Sequence, residues 1–190
     1  MRGHRSADHP EVAAAVTEQV ADAALRDVTA SLIAELVARD LRIAVAESLT
    51  GGLLCAELTR IPGASRAVSG AVVAYATPVK HTLLSVPAEL LAERGPVDPE
   101  VARRMAEGVR HAVAVDGDDA DVGIATTGAA GPDPQDGAAP GTVFVGIAWP
   151  GGSVAVPLRF EGDRGEVRRA TVEAAVRETL ARVIGLPAGR

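Results

Sequence analysis

Apolar residues recur along the chain in two patterns, one with helical spacing and one of short continuous runs. The helical spacing predicts helices over residues 11–39, 48–61, 87–95, 98–114 and 162–185. The short runs predict strands over residues 42–47, 71–76, 122–127, 142–149 and 153–160. Because the early strands alternate with helices, the pattern predicts an α/β layered domain.

The ends of several predicted elements carry residues that favour a particular local structure. Asp98 followed by Pro99 is a favourable helix start, and Asp163 can cap the last helix. Pro78 can open a helical turn through Leu84. The last two strands flank the turn sequence PGG, which predicts a hairpin. A hairpin added to parallel strands makes the predicted sheet mixed.

Length and composition predict one globular domain with a short appendage. The chain has 190 residues, of which 47% are hydrophobic and 23% charged, so a sizeable core can form. Residues 1–10 have the composition of a tail. We expect residues 1–25 to form an N-terminal tail and helical extension, and residues 26–190 to form the domain.

Hydropathy, cysteine content and charge argue against several classes of protein. No apolar run approaches the ~20 residues of a membrane helix, and the N-terminus has no apolar signal-peptide core, so we expect a cytoplasmic protein without membrane partners. A single cysteine, Cys55, excludes a disulfide framework, and the four histidines are not at metal-ligand spacing. A net charge of −6 without a basic run argues against nucleic acid as a partner.

Tyr75 and Lys80 are the only tyrosine and the only lysine, and they lie close together in the sequence VAYATPVKH. Arginine supplies every other basic side chain among the 19 Lys and Arg residues. Arginine stays charged, whereas a buried lysine can lose its proton and act as a base. The alternative is a coincidence between a surface lysine and a core tyrosine.

The sequence AESLTGG places Ser48 between a short apolar strand and a helix. At such a turn a side chain lies at the carboxyl edge of the sheet, where open α/β sheets bind ligands. Backbone N–H groups near Thr50, Gly51 and Gly52 can then face a substrate oxyanion or phosphate. The alternative is that Ser48 or Thr50 caps the following helix.

A serine hydroxyl is a weak nucleophile until a base takes its proton. Lys80 can be that base if desolvation lowers its pKa from about 10.4 towards neutrality. Tyr75 can relay the proton or hydrogen-bond the developing charge. Because both segments follow predicted strands, Ser48, Tyr75 and Lys80 are able to meet at one rim of the sheet.

Two further segments contain candidate ligand-binding residues. Thr127, Gly128 and Gly131 belong to the sequence TTGAAGPDPQDG, which follows a strand and can form an anion-binding nest. Arg164 and Arg168, near the start of the last helix, can contact a substrate phosphate. The alternatives are that the loop only connects two strands and that the arginines lie at a solvated helix end.

Together these segments resemble the CinA C-terminal domain family over about residues 28–184. The resemblance rests on five segments in the family's order: AESLTGG, VVAYATPVKHTLLSV, GPVDPEVARRMAEGVR, GIATTGAAGPDPQDGAAPGTVFVGIA and FEGDRGEVRRATVEAA. It implies a single three-layer α/β/α domain with a mixed sheet. Stand-alone members are nicotinamide-nucleotide amidases, so the resemblance also implies deamidation of nicotinamide mononucleotide to nicotinate mononucleotide and ammonia.

The resemblance assigns roles to three residues. The family's nucleophilic serine falls on Ser48, and the tyrosine and lysine of its Y-x4-K stretch fall on Tyr75 and Lys80. No metal or cofactor is expected, and because members commonly form dimers, a homodimer is compatible with the family. The chain departs from the family pattern at Thr77, where members often have Asn, a change that can alter substrate contacts.

Membership of the family leaves two other functions open. One is a non-catalytic nucleotide-binding or protein-interaction module of a competence or DNA-damage pathway, which would bind a ligand without releasing ammonia. The other is an amidase that acts on a different small amide.

Overall fold

The computed structural model describes residues 10–187, so part of the predicted tail, residues 1–9, lies outside the described residues. The described helices are α1 (Pro10–Ala38), α2 (Leu53–Thr59), α3 (Thr77–Leu84), α4 (Ala88–Arg94), α5 (Pro99–Ala112) and α6 (Arg164–Ile184). The described strands are β1 (Ile43–Glu47), β2 (Val68–Val73), β3 (Val122–Gly128), β4 (Thr142–Trp149) and β5 (Gly152–Arg159). The predicted boundary between residues 25 and 26 falls inside α1, which continues across it. None of the described helices has the length and hydropathy needed to cross a bilayer.

The five strands form one mixed sheet in the order β2-β1-β3-β4-β5, which confirms the predicted mixed sheet. β1 is parallel to β2 and to β3, whereas β3, β4 and β5 are joined by antiparallel pairs. Glu47, the last residue of β1, pairs with Val73 of β2 and with Thr126 of β3. The carboxyl ends of the three parallel strands therefore lie together at one edge of the sheet.

Helices cover both faces of the sheet and give the predicted three-layer α/β/α arrangement. On one face α1, α2 and α6 bury a core against alternate strand residues such as Ile43, Val45 and Ile124. On the other face α3 and α5 pack against the intervening residues, including Ala44, Ala46 and Ala125. Because successive strand side chains point to opposite faces, β1 contributes to both cores and is fully buried.

Local sequence accounts for most element boundaries, including two predicted helix starts. The Asp98 carboxylate accepts hydrogen bonds from the first turn of α5, and Asp163 forms a reciprocal capping box with Glu166 at the start of α6. The predicted strand at 71–76 lies three residues earlier, because Ala74 is already beyond the end of its partner β1. The chain then turns away from the sheet into α3.

The predicted helix at 48–61 begins only at Leu53, because residues 48–52 form a turn. Gly51 and Gly52 have φ values of 58° and 100°, which are left-handed conformations that a helix cannot continue. The two glycines therefore separate Ser48 from the helix, and the serine lies in the turn instead of at the helix cap.

A close contact between α3 and α5 fixes the position of α3 on the sheet. A β carbon built on Gly108 of α5 would lie 1.8 Å from the carbonyl oxygen of Leu84, at the end of α3. Only a glycine allows the two helices to approach this closely. This contact holds in place the helix that carries Lys80.

Candidate active site

Ser48 lies at the carboxyl edge of the parallel strands, one residue beyond β1. Its N–H donates to the carbonyl of Thr126 in β3 at 3.0 Å, which continues the sheet pairing to this position. Its own carbonyl accepts the N–H of Gly51 at 3.1 Å and closes a tight turn. The backbone of the serine is therefore fixed on both sides, and the residue is buried.

Lys80 on α3 reaches this serine from the neighbouring layer. Its Nζ lies 2.8 Å from Ser48 Oγ and 2.8 Å from the carbonyl oxygen of Ala74. The lysine is only 1% exposed, whereas Tyr75 is 59% exposed. The alternative of a surface lysine and a core tyrosine is thus wrong, because the burial of the two residues is the reverse.

Burial changes the acid–base behaviour of the Lys80 amine. Desolvation lowers its pKa from 10.5 to about 8, because the charged form loses its hydration. Among the described residues no carboxylate forms an ion pair with this amine to restore the higher value. Roughly a tenth of the amine is consequently neutral at pH 7.

The Lys80 amine can contact Ser48 in two protonation states, and the two contacts differ in their chemistry. As an ammonium, Lys80 donates hydrogen bonds to both Ser48 Oγ and the Ala74 carbonyl. As a neutral amine, it can still donate to the carbonyl while its lone pair accepts the serine hydroxyl. In this second state the pair has the geometry of a nucleophile hydrogen-bonded to its general base.

Glu47 is a buried carboxylate directly before Ser48 that was not among the predicted site residues. Its two oxygens accept hydrogen bonds from the N–H groups of Gly52, Leu54 and Cys55 at 2.9 to 3.1 Å. These N–H groups belong to the start of α2, where a negative charge is favourable. Glu47 therefore ties β1 to α2 across the turn that contains Ser48.

The predicted substrate-binding residues of the turn are mostly engaged within the protein. The Thr50 hydroxyl lies 2.7 Å from the hydroxyl of Thr126, and both side chains are buried. The N–H of Gly51 donates to Ser48, and the N–H of Gly52 donates to Glu47. The two glycines thus shape the turn, and their N–H groups already have acceptors.

The loop after β3 lies near the same edge of the sheet. Gly128 is the last residue of β3 and pairs with Val143, while the Thr127 hydroxyl donates to the carbonyl of Pro96 at 2.6 Å. Gly131 has a φ of 86°, and its carbonyl accepts a hydrogen bond from Arg164 at 3.3 Å. The loop is therefore joined to the start of α6.

Arg164 also connects to Tyr75, at the exposed side of the site. Its Nη2 donates to the tyrosine hydroxyl at 2.8 Å, and both side chains are exposed. The structure thus brings together Ser48 with Lys80, and Tyr75 with Arg164, as two separate hydrogen-bonded pairs. Tyr75 forms no hydrogen bond to Ser48 or Lys80 among the described contacts.

Arg168 binds backbone carbonyls of the turn, a role that its sequence position did not indicate. Its Nε donates to the carbonyl of Leu49 at 3.0 Å, and its Nη2 donates to the carbonyl of Thr50 at 2.8 Å. Arg164, one helical turn earlier, instead contacts Tyr75 and the Gly131 carbonyl. The described residues contain no group of three or more His, Cys, Asp or Glu side chains that could hold a metal ion.

Curated proteins and solved structures resemble this chain over most of its length. It is 45% identical over 152 residues to a CinA-like protein of Frankia casuarinae, covering 80% of this chain and 34% of that protein. It is 44% identical over 164 residues to a CinA-like protein of Gemmatimonas aurantiaca, covering 86% and 37%. The chain thus spans about a third of the length of these curated relatives.

Two crystal structures show the same fold at lower sequence identity. A CinA superfamily protein of Klebsiella pneumoniae has a TM-score of 0.79 and 29% identity, covering 85% of this chain and 99% of that one. A competence/damage inducible protein of Agrobacterium tumefaciens has a TM-score of 0.77 and 29% identity, covering 84% and 95%. Residues 25–183 match the CinA C-terminal domain. The chain therefore belongs to the CinA C-terminal domain family.

Proposed function

We propose that this protein is an amidohydrolase that converts nicotinamide mononucleotide to nicotinate mononucleotide and ammonia. The observation that carries the proposal is the buried contact of 2.8 Å between Lys80 Nζ and Ser48 Oγ. A buried amine with a lowered pKa beside a serine hydroxyl supplies the base and the nucleophile that acyl transfer uses. The choice of substrate rests on the resemblance to the stand-alone nicotinamide-nucleotide amidases.

The first half of the reaction forms an acyl-enzyme. Neutral Lys80 takes the proton of Ser48, and Oγ attacks the carboxamide carbon to give a tetrahedral intermediate. The C–N bond then breaks as the Lys80 ammonium returns its proton to the departing nitrogen, which leaves as ammonia. This step leaves Ser48 esterified by the nicotinoyl group and Lys80 neutral again.

The second half of the reaction uses the same base on water. Lys80 takes a proton from a water molecule, whose oxygen attacks the ester carbon. The bond between that carbon and Ser48 Oγ breaks, and the Lys80 ammonium returns the proton to the serine oxygen. The products are the free acid and the original serine, so protons balance over the cycle.

The Ala74 carbonyl supports this cycle by holding the amine in one orientation. Its oxygen accepts one N–H of Lys80 at 2.8 Å. With one hydrogen directed to this carbonyl, the lone pair of the neutral amine is free to face Ser48. The same carbonyl stabilises the ammonium that forms when Lys80 accepts a proton.

Tyr75 and Arg164 are proposed to contact the nucleotide part of the substrate near the site's exposed side. The Arg164 guanidinium suits a phosphate, and its hydrogen bonds to Tyr75 and Gly131 restrict its position. Because its hydroxyl is bound by Arg164, the support for direct proton transfer by Tyr75 is weaker than that for Lys80. Thr127 and Gly128 remain predicted contributors to this part of the site.

Ammonia release from three related amides tests the proposal. We expect nicotinamide mononucleotide to react fastest, followed by its riboside and then free nicotinamide, because the smaller compounds lose the phosphate and ribose contacts. Ser48→Ala should abolish release, whereas Ser31→Ala, a substitution at an exposed serine of α1, should leave it unchanged. Binding of the mononucleotide without ammonia release would instead favour the non-catalytic module.

A further inference from the structure

Two backbone N–H groups directly after Ser48 have no acceptor among the described residues. Within residues 10–187, neither the N–H of Leu49 nor that of Thr50 donates a hydrogen bond, although both residues are buried. Buried backbone donors are nearly always paired, because an unpaired donor loses its hydrogen bonds to water and gains none in return. Two adjacent unpaired donors in one turn form the kind of concavity that binds an anion.

The next two N–H groups of the turn are already bound. Gly51 donates to the Ser48 carbonyl, and Gly52 donates to the Glu47 carboxylate. In the loop after β3, Ala129 donates to the carbonyl of Thr142. Leu49 and Thr50 are therefore the free donors closest in the chain to the attacking hydroxyl.

Arg168 fixes the peptide that joins Leu49 to Thr50. It donates from Nε to the Leu49 carbonyl at 3.0 Å and from Nη2 to the Thr50 carbonyl at 2.8 Å. In a trans peptide the C=O and N–H groups point in opposite directions. The only cis bond of the described chain is Gly131–Pro132, so the Leu49 carbonyl points to Arg168 and the Thr50 N–H points away from it.

The direction of this N–H follows from the position of Arg168. Arg168 belongs to α6, in the layer with α1 and α2, whereas Lys80 belongs to α3, in the layer on the other face of the sheet. A Thr50 N–H that points away from the Arg168 guanidinium has its back to the α6 contact and is open to a group bound at Ser48. In a turn, the N–H two residues after a serine is also within reach of that serine's side-chain oxygen.

We infer that the N–H groups of Leu49 and Thr50 form the oxyanion hole, and that Arg168 is the positioning residue that orients the peptide carrying the Thr50 N–H. The inference rests on the proposed acyl transfer, because the oxyanion is the one that forms when Ser48 attacks. The guanidinium acts on the carbonyl side of the peptide, where its positive charge also polarises the N–H as a donor. Arg168 thus acts through the backbone and does not touch the substrate.

The test uses p-nitrophenyl acetate beside nicotinamide mononucleotide. The ester transfers its acetyl group to Ser48 and releases p-nitrophenolate, while Lys80 takes the serine proton. It needs the oxyanion hole but no recognition of a nucleotide. Arg168→Ala should lower kcat about 100-fold for both substrates, which is in the range found for loss of an oxyanion donor. The KM should stay within about threefold of the wild-type value.

Two additional measurements separate positioning from a general structural role. Millimolar guanidinium should raise the rate of Arg168→Ala at least about tenfold, because it occupies the space that the arginine side chain has vacated. Arg168→Lys keeps the charge but lacks the planar fork that holds two carbonyls, so we expect an intermediate loss of about tenfold. Arg177→Ala, on an exposed arginine of the same helix paired with Glu173, should retain the wild-type rate. Circular dichroism confirms that each variant is folded.

The outcomes distinguish this inference from the proposed function. An Arg168→Ala rate within about threefold of wild type, or a loss that neither guanidinium nor lysine relieves, would overturn the oxyanion assignment and leave the amidase proposal standing. Ser48-dependent cleavage of the ester without ammonia release from the mononucleotide would contradict the proposed substrate. The role of Arg168 is then decided by the effect of Arg168→Ala on ester cleavage. No Ser48-dependent turnover of either compound would overturn both.

Discussion

The Nζ of Lys80 and the Oγ of Ser48 lie 2.8 Å apart, although the two residues belong to different layers of the fold. Ser48 is held at the end of β1 by its backbone pairing with Thr126, and Lys80 is held by α3. The contact therefore depends on the rigid sheet and on the close packing of α3 against α5.

Lys80→Arg should nearly abolish ammonia release, because arginine keeps the positive charge but cannot act as a base near neutral pH. Loss of a general base typically lowers kcat by 10²- to 10⁴-fold, so we expect a decrease of about 1,000-fold. The measurement is ammonia release from nicotinamide mononucleotide at saturating substrate. Wild-type turnover by this variant would remove Lys80 from the mechanism.

We expect Tyr75→Phe to lower kcat/KM less than Lys80→Arg does, because Tyr75 contacts Arg164 instead of Ser48.

The rate should rise with pH as Lys80 loses its proton. Since the pKa of Lys80 is lowered to about 8 by desolvation, the neutral base is a minor species below that pH and predominates above it. We expect kcat/KM to increase about tenfold per pH unit below 7 and to level off above about 9. A profile of kcat/KM from pH 6 to 10 checks this, and a pH-independent rate across that range would contradict it.

Stability should also rise with pH in a window set by Lys80. The folded pKa of about 8 lies below the usual value of 10.5, so between these values the unfolded chain binds more protons and increasing pH favours folding. Below pH 8 both states are protonated, and the cost of burying the ammonium is fully present. The full difference amounts to about 3 kcal/mol.

Urea unfolding of the wild type and Lys80→Met at pH 7.5 and 10.5 isolates this contribution. Lysine and tyrosine each occur once, so few other groups titrate in the window. Burial raises the pKa of Cys55, which gives a trend of opposite sign in both proteins and cancels in their difference. The wild type should gain stability relative to Lys80→Met as pH increases, and parallel curves would show that Lys80 is not desolvated.

Glu47→Gln should destabilise the protein and disturb the turn that carries Ser48. The carboxylate accepts three backbone N–H groups, whereas glutamine replaces one acceptor oxygen with a donor. We expect a loss of about 2–4 kcal/mol in the free energy of unfolding, measured in urea. Glu173→Gln is the matched control, because it removes only an exposed ion pair with Arg177, worth about 0–1 kcal/mol. Equal stability of the two variants would contradict the role assigned to Glu47.

The sequence predicted the layered fold well because hydrophobic spacing and helix caps are local signals. Asp98 and Asp163 cap helices as their positions indicated, and the five predicted strands all exist. Ser48 and Lys80 were selected by residue chemistry together with family resemblance, and the structure places them in contact.

Other features of the site depend on tertiary contacts that no local pattern contains. In the sequence Glu47 is an ordinary residue at the end of a strand. Its role depends on the start of α2, whose N–H groups donate to its carboxylate in the folded protein. The sequence allowed Arg168 a phosphate contact or a solvated position, whereas its guanidinium binds the backbone carbonyls of Leu49 and Thr50. The exposure of Tyr75 follows from the early end of β2, since the chain leaves the sheet before that residue.

Nuclear magnetic resonance of the lone lysine measures directly whether Lys80 can act as the base for Ser48. Lysine labelled with carbon-13 at Cε gives a single side-chain signal in this chain, because Lys80 is the only lysine. We expect this signal to titrate with a pKa of about 8 in the wild type, as for a buried amine able to deprotonate Ser48. A titration near 10.5 in the folded protein would contradict it, because Lys80 would then remain an ammonium and could not serve as the base.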